Sequence, residues 1–392
     1  MLSKLLSQEV QDYINKNIAT PAAILALQKN PFPDINFPDV LNQISAKEKS
    51  EEKLPTWYNA ENIIYPQKIS IEQSSSEISA QYKAGLVSGE SLIDLTGGFG
   101  VDDFYFSKKI KDVTQCEINE QLSEIVRHNF SVLNIKNVEC LNSESTGILK
   151  STDKKWDWIY IDPSRRNESK GKVFMLKDCL PNVPELLDLY FAHTDNILIK
   201  TAPLLDIKAG LTELHSVSEI HCVSVNNEMK ELLWVLKKGF DGNPEIIAAS
   251  LSKDKATLYK TSLNTSQLAA YSLPKKYLYE PGSALLKTGA FNAISHDFKI
   301  NKLHQHSHLY TSDSPIDDFP GRIFIIENIH VYKKKEVKSL LENKKMNVTV
   351  RNFPVSVDEI RKIWKIKEGG NEYAFFTTNM NNEKITLLCS KI

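Results

Sequence analysis

Ser91-Leu92-Ile93-Asp94-Leu95-Thr96-Gly97-Gly98-Phe99-Gly100 is the stretch whose reading decides the fold. A short apolar run, SLIDL (91–95), has the texture of a strand, and VDDFYFSKKI (101–110) reads as a helix. Between them lies a glycine turn. Glycines there let the backbone pass close to a ligand, and the start of the helix offers free N–H groups. Asp94 stands at the end of the strand. A second acid, Glu117, ends the next one, DVTQCEI (112–118), 23 residues further on. A carboxylate at that point can accept both hydroxyls of a ribose. The spacing is G-G-x-G, whereas a nicotinamide dehydrogenase places G-x-G-x-x-G after its strand. The G-K-[ST] of a phosphate-binding loop is absent.

Outward from this loop the alternation continues. NEQLSEIVRHNFSVL (119–133) is helical, with Leu122, Ile125, Val126 and Phe130 on one face. NVECL (137–141), WDWIYID (156–162) and NILIKTAP (196–203) read as strands. Strands alternating with helices at this spacing predict an α/β fold with a doubly wound, mostly parallel, Rossmann-like sheet. EIHCVSV (219–225) and ELLWVL (231–236) are separated only by polar residues, which predicts an antiparallel hairpin at one sheet edge. The first eighty residues read as polar helices interrupted by the proline-rich PFPDINFPDV (31–40). After Phe240 come strands, a helix over GSALLKTGAFNAI (282–294) and a strand over INKLHQHSHLY (300–310). From residue 321 a compact α+β segment follows.

The composition is globular: of 392 residues 41% are hydrophobic and 25% charged, which excludes a wholly disordered chain. The five cysteines are scattered and never paired as CxxC, which argues against a disulfide framework and a thiolate zinc site. His304, His306 and His308 would share one face of a strand, yet no acid or cysteine joins them, and no metal is expected. No stretch approaches 18 consecutive apolar residues and the start has no signal-peptide core, so a cytoplasmic protein without a membrane partner is expected. The net charge of −1 hides an asymmetry. Residues 321–392 hold 14 Lys/Arg against 8 Asp/Glu, a surplus of +6, and the remainder carries −7.

Ile161-Asp162-Pro163-Ser164-Arg165-Arg166 follows a strand, where doubly wound sheets place their sites. Asp162 can accept a hydrogen bond or a proton from an acceptor N–H. Arg165 and Arg166 suit phosphate or carboxylate. Lys200, in Lys200-Thr201-Ala202-Pro203, is placed to line the same pocket. No cysteine follows Pro163, so this loop holds no thiol nucleophile.

The motifs DLTGGFGVD (94–102), ISIEQSSSEISAQYKAGL (69–86), IDPSRR (161–166), LIKTAPLLD (198–206), FPGR (319–322), RNFP (351–354), RK (361–362) and GGNEY (369–373) resemble those of one family. It is the class I S-adenosylmethionine-dependent methyltransferases that carry a small ferredoxin-like domain and a C-terminal THUMP-like domain. The resemblance implies an N-terminal helical region over 1–80 and an S-adenosylmethionine-binding domain over 81–245. It further implies a ferredoxin-like domain over 246–320 and a THUMP-like domain over 321–392. It implies that Asp94, Thr96, Gly97, Gly98 and Gly100 frame the methionine end of S-adenosyl-L-methionine. Glu117 and Ile118 would take the ribose and its surroundings, Ser143 or Glu144 the adenine, and Asp162 the reacting end. Leu141-Asn142-Ser143-Glu144 stands where a Gly-Asp pair is more usual. Asp162, Pro163 and Arg165 are the implied catalytic positions. Arg165, Arg166, Lys200, Arg351, Arg361 and Lys362 are the implied substrate or RNA contacts.

Amino-directed methyltransferases often follow D/N-P-P with an aromatic, and here an arginine stands instead. In the basic segment Phe353, Trp364, Tyr373, Phe375 and Phe376 are interleaved with Lys and Arg, a pattern that fits phosphates and unpaired bases. THUMP domains are associated with RNA modification. A cytoplasmic enzyme that methylates tRNA or rRNA is therefore the first expectation, with no DNA partner. A methyltransferase for a small molecule or protein, using the C-terminal segment as a cap or dimerisation surface, is the second. A non-catalytic RNA-binding protein is the third.

Overall fold

The computed structural model describes residues 2–66, 68–165, 175–263 and 267–392. The chain divides into two units, Met1–Ser218 with Leu232–Gly242, and Glu219–Glu231 with Asn243–Ile392.

In the first unit the strands are β1 (Ser91–Asp94), β2 (Asp112–Glu117), β3 (Val138–Asn142), β4 (Trp158–Ile161) and β5 (Asn196–Thr201). Their order is β3-β2-β1-β4-β5 and every pairing is parallel, with Ile93 opposite Thr114 on one side and Ile159 on the other. Residues Leu232–Lys237 add an antiparallel strand beside β5. The central strands read as unbroken apolar runs because helices cover both faces; Leu92, Ile93, Ile159, Ile161, Leu198 and Ile199 are buried. The strand order reverses between β1 and β4, and a doubly wound sheet opens its ligand crevice beyond the carboxyl ends at such a point.

The helical N-terminal region belongs to this unit. Gln8–Lys16, Phe37–Lys53, Pro55–Asn59 and Glu77–Ala84 are helices. Val10, Ile14, Val40, Ile44, Trp57, Ile64 and Ala80 share one core with Phe99, Val101, Phe104, Val126 and Phe130. Phe99 of the glycine loop is packed among Trp57 and Tyr65, with ring centroids 6.2 and 6.3 Å away. The charged run AKEKSEEK lies on the helix Phe37–Lys53, which still buries Gln43, Ile44, Ala46 and Ser50 on one side.

In the second unit Glu219–Val225 runs parallel to Glu245–Leu251, which pairs antiparallel with Ala256–Ser262. The hairpin expected at a sheet edge is therefore not an edge, because a further pair of strands continues from it. Among the described residues a second sheet runs in the order Asn301–Lys302, Tyr310–Ser312, Tyr277–Pro281, Gly321–Val331, Lys384–Lys391, Glu372–Thr378, Asn347–Val350. Alternation along it separates two cores. Ala374 and Phe376 face Val337, Leu341, Ile360 and Trp364 of two helices, whereas Phe375 faces Leu278, Leu303 and Phe324.

Two sequence expectations fail here. The helix over 282–294 is two short ones, Ser283–Lys287 and Phe291–Asp297, parted at Gly289 with φ +73°. Residues 304–308 form a turn rather than a strand, with His308 at φ +50°. The three histidines therefore do not line one strand face. His304 is held instead by Asn352 and Asn382.

Candidate functional site

Asp94 ends β1 almost wholly buried, and one of its carboxylate oxygens accepts from the Thr96 backbone N–H at 2.7 Å and the Thr96 hydroxyl at 3.0 Å. That hydroxyl in turn accepts the backbone N–H of Asp162 at 2.7 Å, so the ends of β1 and β4 are tied through one side chain. The loop that follows requires its glycines. Gly98 and Gly100 have φ of +57° and +75°, and a Cβ at Gly97 would meet the Gln115 side chain at 2.4 Å.

Glu117 lies at the end of β2. Its two oxygens accept from the backbone N–H of Gly98 at 2.9 Å and of Asn119 at 2.7 Å. The acid is thereby fixed beside the loop. Next to it Ile118 is 74% exposed, a large apolar side chain offered to a ligand or to water. Asn142, at the end of β3, donates to the carbonyls of Glu117 and Ile118 at 2.9 and 3.2 Å. Ser143 is exposed. Glu144 caps the helix Ser145–Lys150 by accepting from Thr146 and Gly147 at 3.0 and 2.7 Å. The departure from a Gly-Asp pair thus has a local explanation: Asn142 braces the strand end and Glu144 starts a helix.

On the other side of β1, Asp162 follows β4 and Lys200 lies in β5. Their side chains pair at 2.5 Å, both partly exposed. Pro163 is buried, and Ser164–Arg165 pairs antiparallel with Cys179–Leu180. Arg166 lies outside the described residues. Glu213 accepts from the backbone N–H groups of Leu176 and Lys177 at 2.7 and 3.0 Å, which fixes the chain where it returns toward β5. Asp206 caps the helix Ile207–Glu213 through the Ala209 N–H.

Beneath these residues lies a polar layer that the motif reading missed. Lys83 is completely buried and pairs with Asp102 at 2.8 Å. Ser75 and the Tyr160 hydroxyl donate to the same carboxylate, each at 2.9 Å. Burial opposes the ionised form of Asp102, but Lys83, with further help from Lys200 and the Tyr160 hydroxyl, holds its carboxyl below the ordinary value. Asp103 and Gln115 are also fully buried, and the Gln115 side chain faces the Asp103 carboxyl. Burial pushes the Asp94 carboxyl up to about 8 against the two Thr96 hydrogen bonds, and the negative charges of Asp102 and Asp162 add to the rise. Asp103 is raised as well, by burial first and then by Asp94. One signal was available in the sequence. Ala80, Lys83 and Ala84 share the buried face of Glu77–Ala84 at helical spacing, and Asp102-Asp103 opens the helix after the glycines.

These residues fit a ligand with a sugar diol at one end and a cationic group at the other. Glu117 supplies a fixed acceptor pair, the glycine loop leaves clearance, and Asp94 with Asp103 is acid without a cation at salt-bridge distance among the described residues.

The predicted contacts of the basic segment lie in the second unit. Arg351 pairs with Glu280 at 2.9 Å. Arg322 of FPGR donates to the other oxygen of Glu280 through Nε at 2.8 Å. Two arginines thus converge on a carboxylate whose side chain is 4% exposed. Arg361 pairs with Glu368 at 3.0 Å, and Lys362 is exposed. The base-stacking expectation for the aromatics is corrected at three positions: Trp364, Phe375 and Phe376 are core residues. Phe353 and Tyr373 pack on Tyr332 and Phe324 at 5.0 and 4.9 Å.

A ferredoxin-like domain family matches residues 277–320, and a THUMP domain-like family matches residues 321–391. A solved structure titled "putative methyltransferase from Porphyromonas gingivalis W83" is 28% identical over 99% of this chain and 98% of its own, with a TM-score of 0.86. A T. thermophilus 16S rRNA N2 G1207 methyltransferase, solved with AdoMet and guanosine, is 14% identical over 44% of each chain, with a TM-score of 0.32. A Pyrococcus abyssi tRNA (uracil-54, C5)-methyltransferase, solved with S-adenosyl-L-homocysteine, is 17% identical over 43% of this chain and 38% of its own, with a TM-score of 0.29. At TM-scores that low neither bears on this chain's substrate. No curated protein matches. The parallel sheet, its glycine loop and the full-length likeness define the fold of a class I methyltransferase. Its C-terminal segments match the ferredoxin-like and THUMP domain-like families, and over nearly its whole length the chain is similar to that putative methyltransferase.

Proposed function

We propose that this protein transfers a methyl group from S-adenosyl-L-methionine to a nucleotide of tRNA or rRNA. The observation that carries the reading is the row of strand ends: Glu117 on β2, Asp94 and the glycine loop on β1, Asp162 on β4 and Lys200 on β5, joined by the Thr96 hydroxyl. Glu117 takes the ribose hydroxyls and Ile118 covers an apolar face beside them, with Ser143 exposed at the next strand end. Asp94, Thr96, Gly97, Gly98 and Gly100 frame the methionine end. The bound cofactor supplies an electrophilic methyl on a sulfonium. This chain aligns the acceptor and excludes water, because a displacement at carbon needs little acid–base help. Asp162, held by Lys200, accepts an acceptor hydrogen bond or proton, and Pro163 fixes the turn that presents it. Arg165 and Arg166 follow as acceptor contacts.

Support for an RNA acceptor comes from the exposed cations Lys333, Lys334, Lys335, Lys338, Lys344, Lys345, Lys362, Lys365 and Lys367. Arg351 and Arg361 take part through ion pairs that shape this surface rather than as free phosphate contacts. A small-molecule or protein acceptor is the second reading, favoured by the burial of Trp364, Phe375 and Phe376. In either case the reading is of an enzyme working in the cytoplasm; among the described residues no helix is long and apolar enough to cross a membrane.

Titration calorimetry with S-adenosylmethionine tests the cofactor. Micromolar binding is expected for the wild type, with loss of binding in Asp94→Ala and Glu117→Ala. Labelled methyl entering a cellular tRNA or rRNA fraction, with salt-sensitive binding lost on neutralising lysines in 333–367, tests the acceptor. Methyl uptake by protein or small molecules alone overturns the RNA reading.

A further inference from the structure

The second unit holds a buried cation without an anion. Lys302, in the short strand Asn301–Lys302, is 2% exposed, and among the described residues no carboxylate lies at salt-bridge distance from it. Its Nζ donates to the carbonyl of exposed Gln305 at 3.2 Å. It sits 5.8 and 6.0 Å from the ring centroids of Phe291 and Tyr271, at the outer reach of a cation–π contact. An ammonium has three N–H donors, so two remain. His308 shares Phe291 with this lysine, their rings stacked with centroids 3.7 Å apart. The Nδ1 of His308 is buried and has no hydrogen-bond partner among the described residues. Burial first, and then the positive charges of Lys302, His306 and Arg351, hold the His308 ring down at about 4, neutral at pH 7. Arg351 shares Glu280 with Arg322, so those three side chains keep one net positive charge. His304 is already used. Its Nδ1 accepts from the Asn352 amide at 2.9 Å and from the His306 backbone N–H at 3.1 Å, and its Nε2 meets the Asn382 amide oxygen at 3.1 Å. It clamps the turn 304–308 to the residue that follows Arg351.

We propose that Lys302 and the turn 304–308 form a binding site for a phosphate group, with the Lys302 ammonium as its charged donor and the His306 and His308 rings as flanking donors. Burying an ammonium without an anion is costly, and a phosphate supplies both the missing charge and the missing acceptors. Gln305, His306 and Tyr271 are exposed, so the amine lies one layer below solvent, next to an aromatic face on which an unpaired base can stack. The phosphate site itself stands on this geometry. Its assignment to a backbone phosphate of RNA, rather than to a small phosphorylated ligand, rests on the RNA reading above.

Magnetic resonance of the full chain labelled with nitrogen-15 histidine, titrated with inorganic phosphate, reads the site directly. The His306 and His308 ring signals are expected to shift with millimolar phosphate and not with chloride at the same ionic strength. Lys302→Met is expected to weaken that response about tenfold or more. In chloride the variant is expected to melt higher than the wild type, because a buried charge without an anion has been removed. Phosphate should raise the melting temperature of the wild type and not that of the variant. Absence of a phosphate-specific shift in the wild type overturns the proposal even if the variant fails to fold, and so does an undiminished response in Lys302→Met. A single-stranded oligouridylate separates the two sources. If it displaces phosphate and moves the same two signals, the site holds an RNA backbone phosphate. If inorganic phosphate alone moves them, the RNA assignment is overturned and the site belongs to a small phosphorylated ligand. None of these readouts needs S-adenosylmethionine, so failure of the cofactor reading would show separately, in the calorimetry above.

Discussion

Glu280 and Asp94 are both acids buried at strand ends, and the protein treats them oppositely. Glu280 receives two arginines, Arg322 and Arg351, one on each oxygen. Asp94 receives one hydroxyl and one backbone N–H, and its neighbour Asp103 is faced by the neutral Gln115 side chain. The first arrangement more than balances the carboxylate and holds two parts of a sheet together. The second has no cation at salt-bridge distance among the described residues. One buried acid is paired with cations in one place, whereas two are buried without a cation at the carboxyl ends of the parallel sheet, and it is the second arrangement that the proposed cofactor would complete.

The sharpest way to break this contrast is Lys83→Met. It would turn Asp102 into another acid without its cation, and removing one partner of a fully buried pair costs about 3–5 kcal/mol. Chemical denaturation is expected to show a loss of that size in the first unit, and an unchanged midpoint would mean that Asp102 is satisfied without the lysine. Glu280→Ala attacks the closed side. The two arginines are partly exposed, so water takes up some of their charge, and a smaller loss of about 2–3 kcal/mol is expected. Proteolysis of the strand Gly321–Val331 should accelerate in parallel.

The third effect is a slope in pH. The Asp94 carboxyl is raised in the folded protein, so the unfolded chain gives up that proton first as pH rises. The sign is therefore a loss of stability as pH rises from the ordinary carboxylate range toward 8, fully present above it. Thermal melting of Asp103→Asn should show a flatter decline than the wild type over pH 5–8. Equal slopes would place the ionisation elsewhere.

Much of the crevice was legible because its requirements are local. Glycines at positive φ after an acid-ended strand, and an acid at the end of the next strand, are visible without knowing any neighbour. The polar layer below was not. A lysine in a helix ordinarily reads as solvent-facing, and only its spacing with Ala80 and Ala84 marks Lys83 as turned inward. The arginines of FPGR and RNFP were legible as motifs but not as partners, since Glu280 is 42 residues from one and 71 from the other. The single helix expected over 282–294 failed because apolar spacing continued through Gly289, where the backbone turns. The three histidines failed for a similar reason: alternation in sequence resembled a strand where the chain makes a turn.

The strand Gly321–Val331 pairs on one side with Tyr277–Pro281 and on the other with Lys384–Lys391. Its first residue sits so close to its neighbour that a Cβ would meet the Glu280 carbonyl oxygen at 2.2 Å. The boundary between the two matched families falls at this residue. A recombination event cutting there would separate two halves of one hydrogen-bonded ladder and strand an acid from both its arginines. The two segments therefore share one ladder, and a chimera that exchanges one without the other is expected to lose the Glu280 ion pairs and fold less stably.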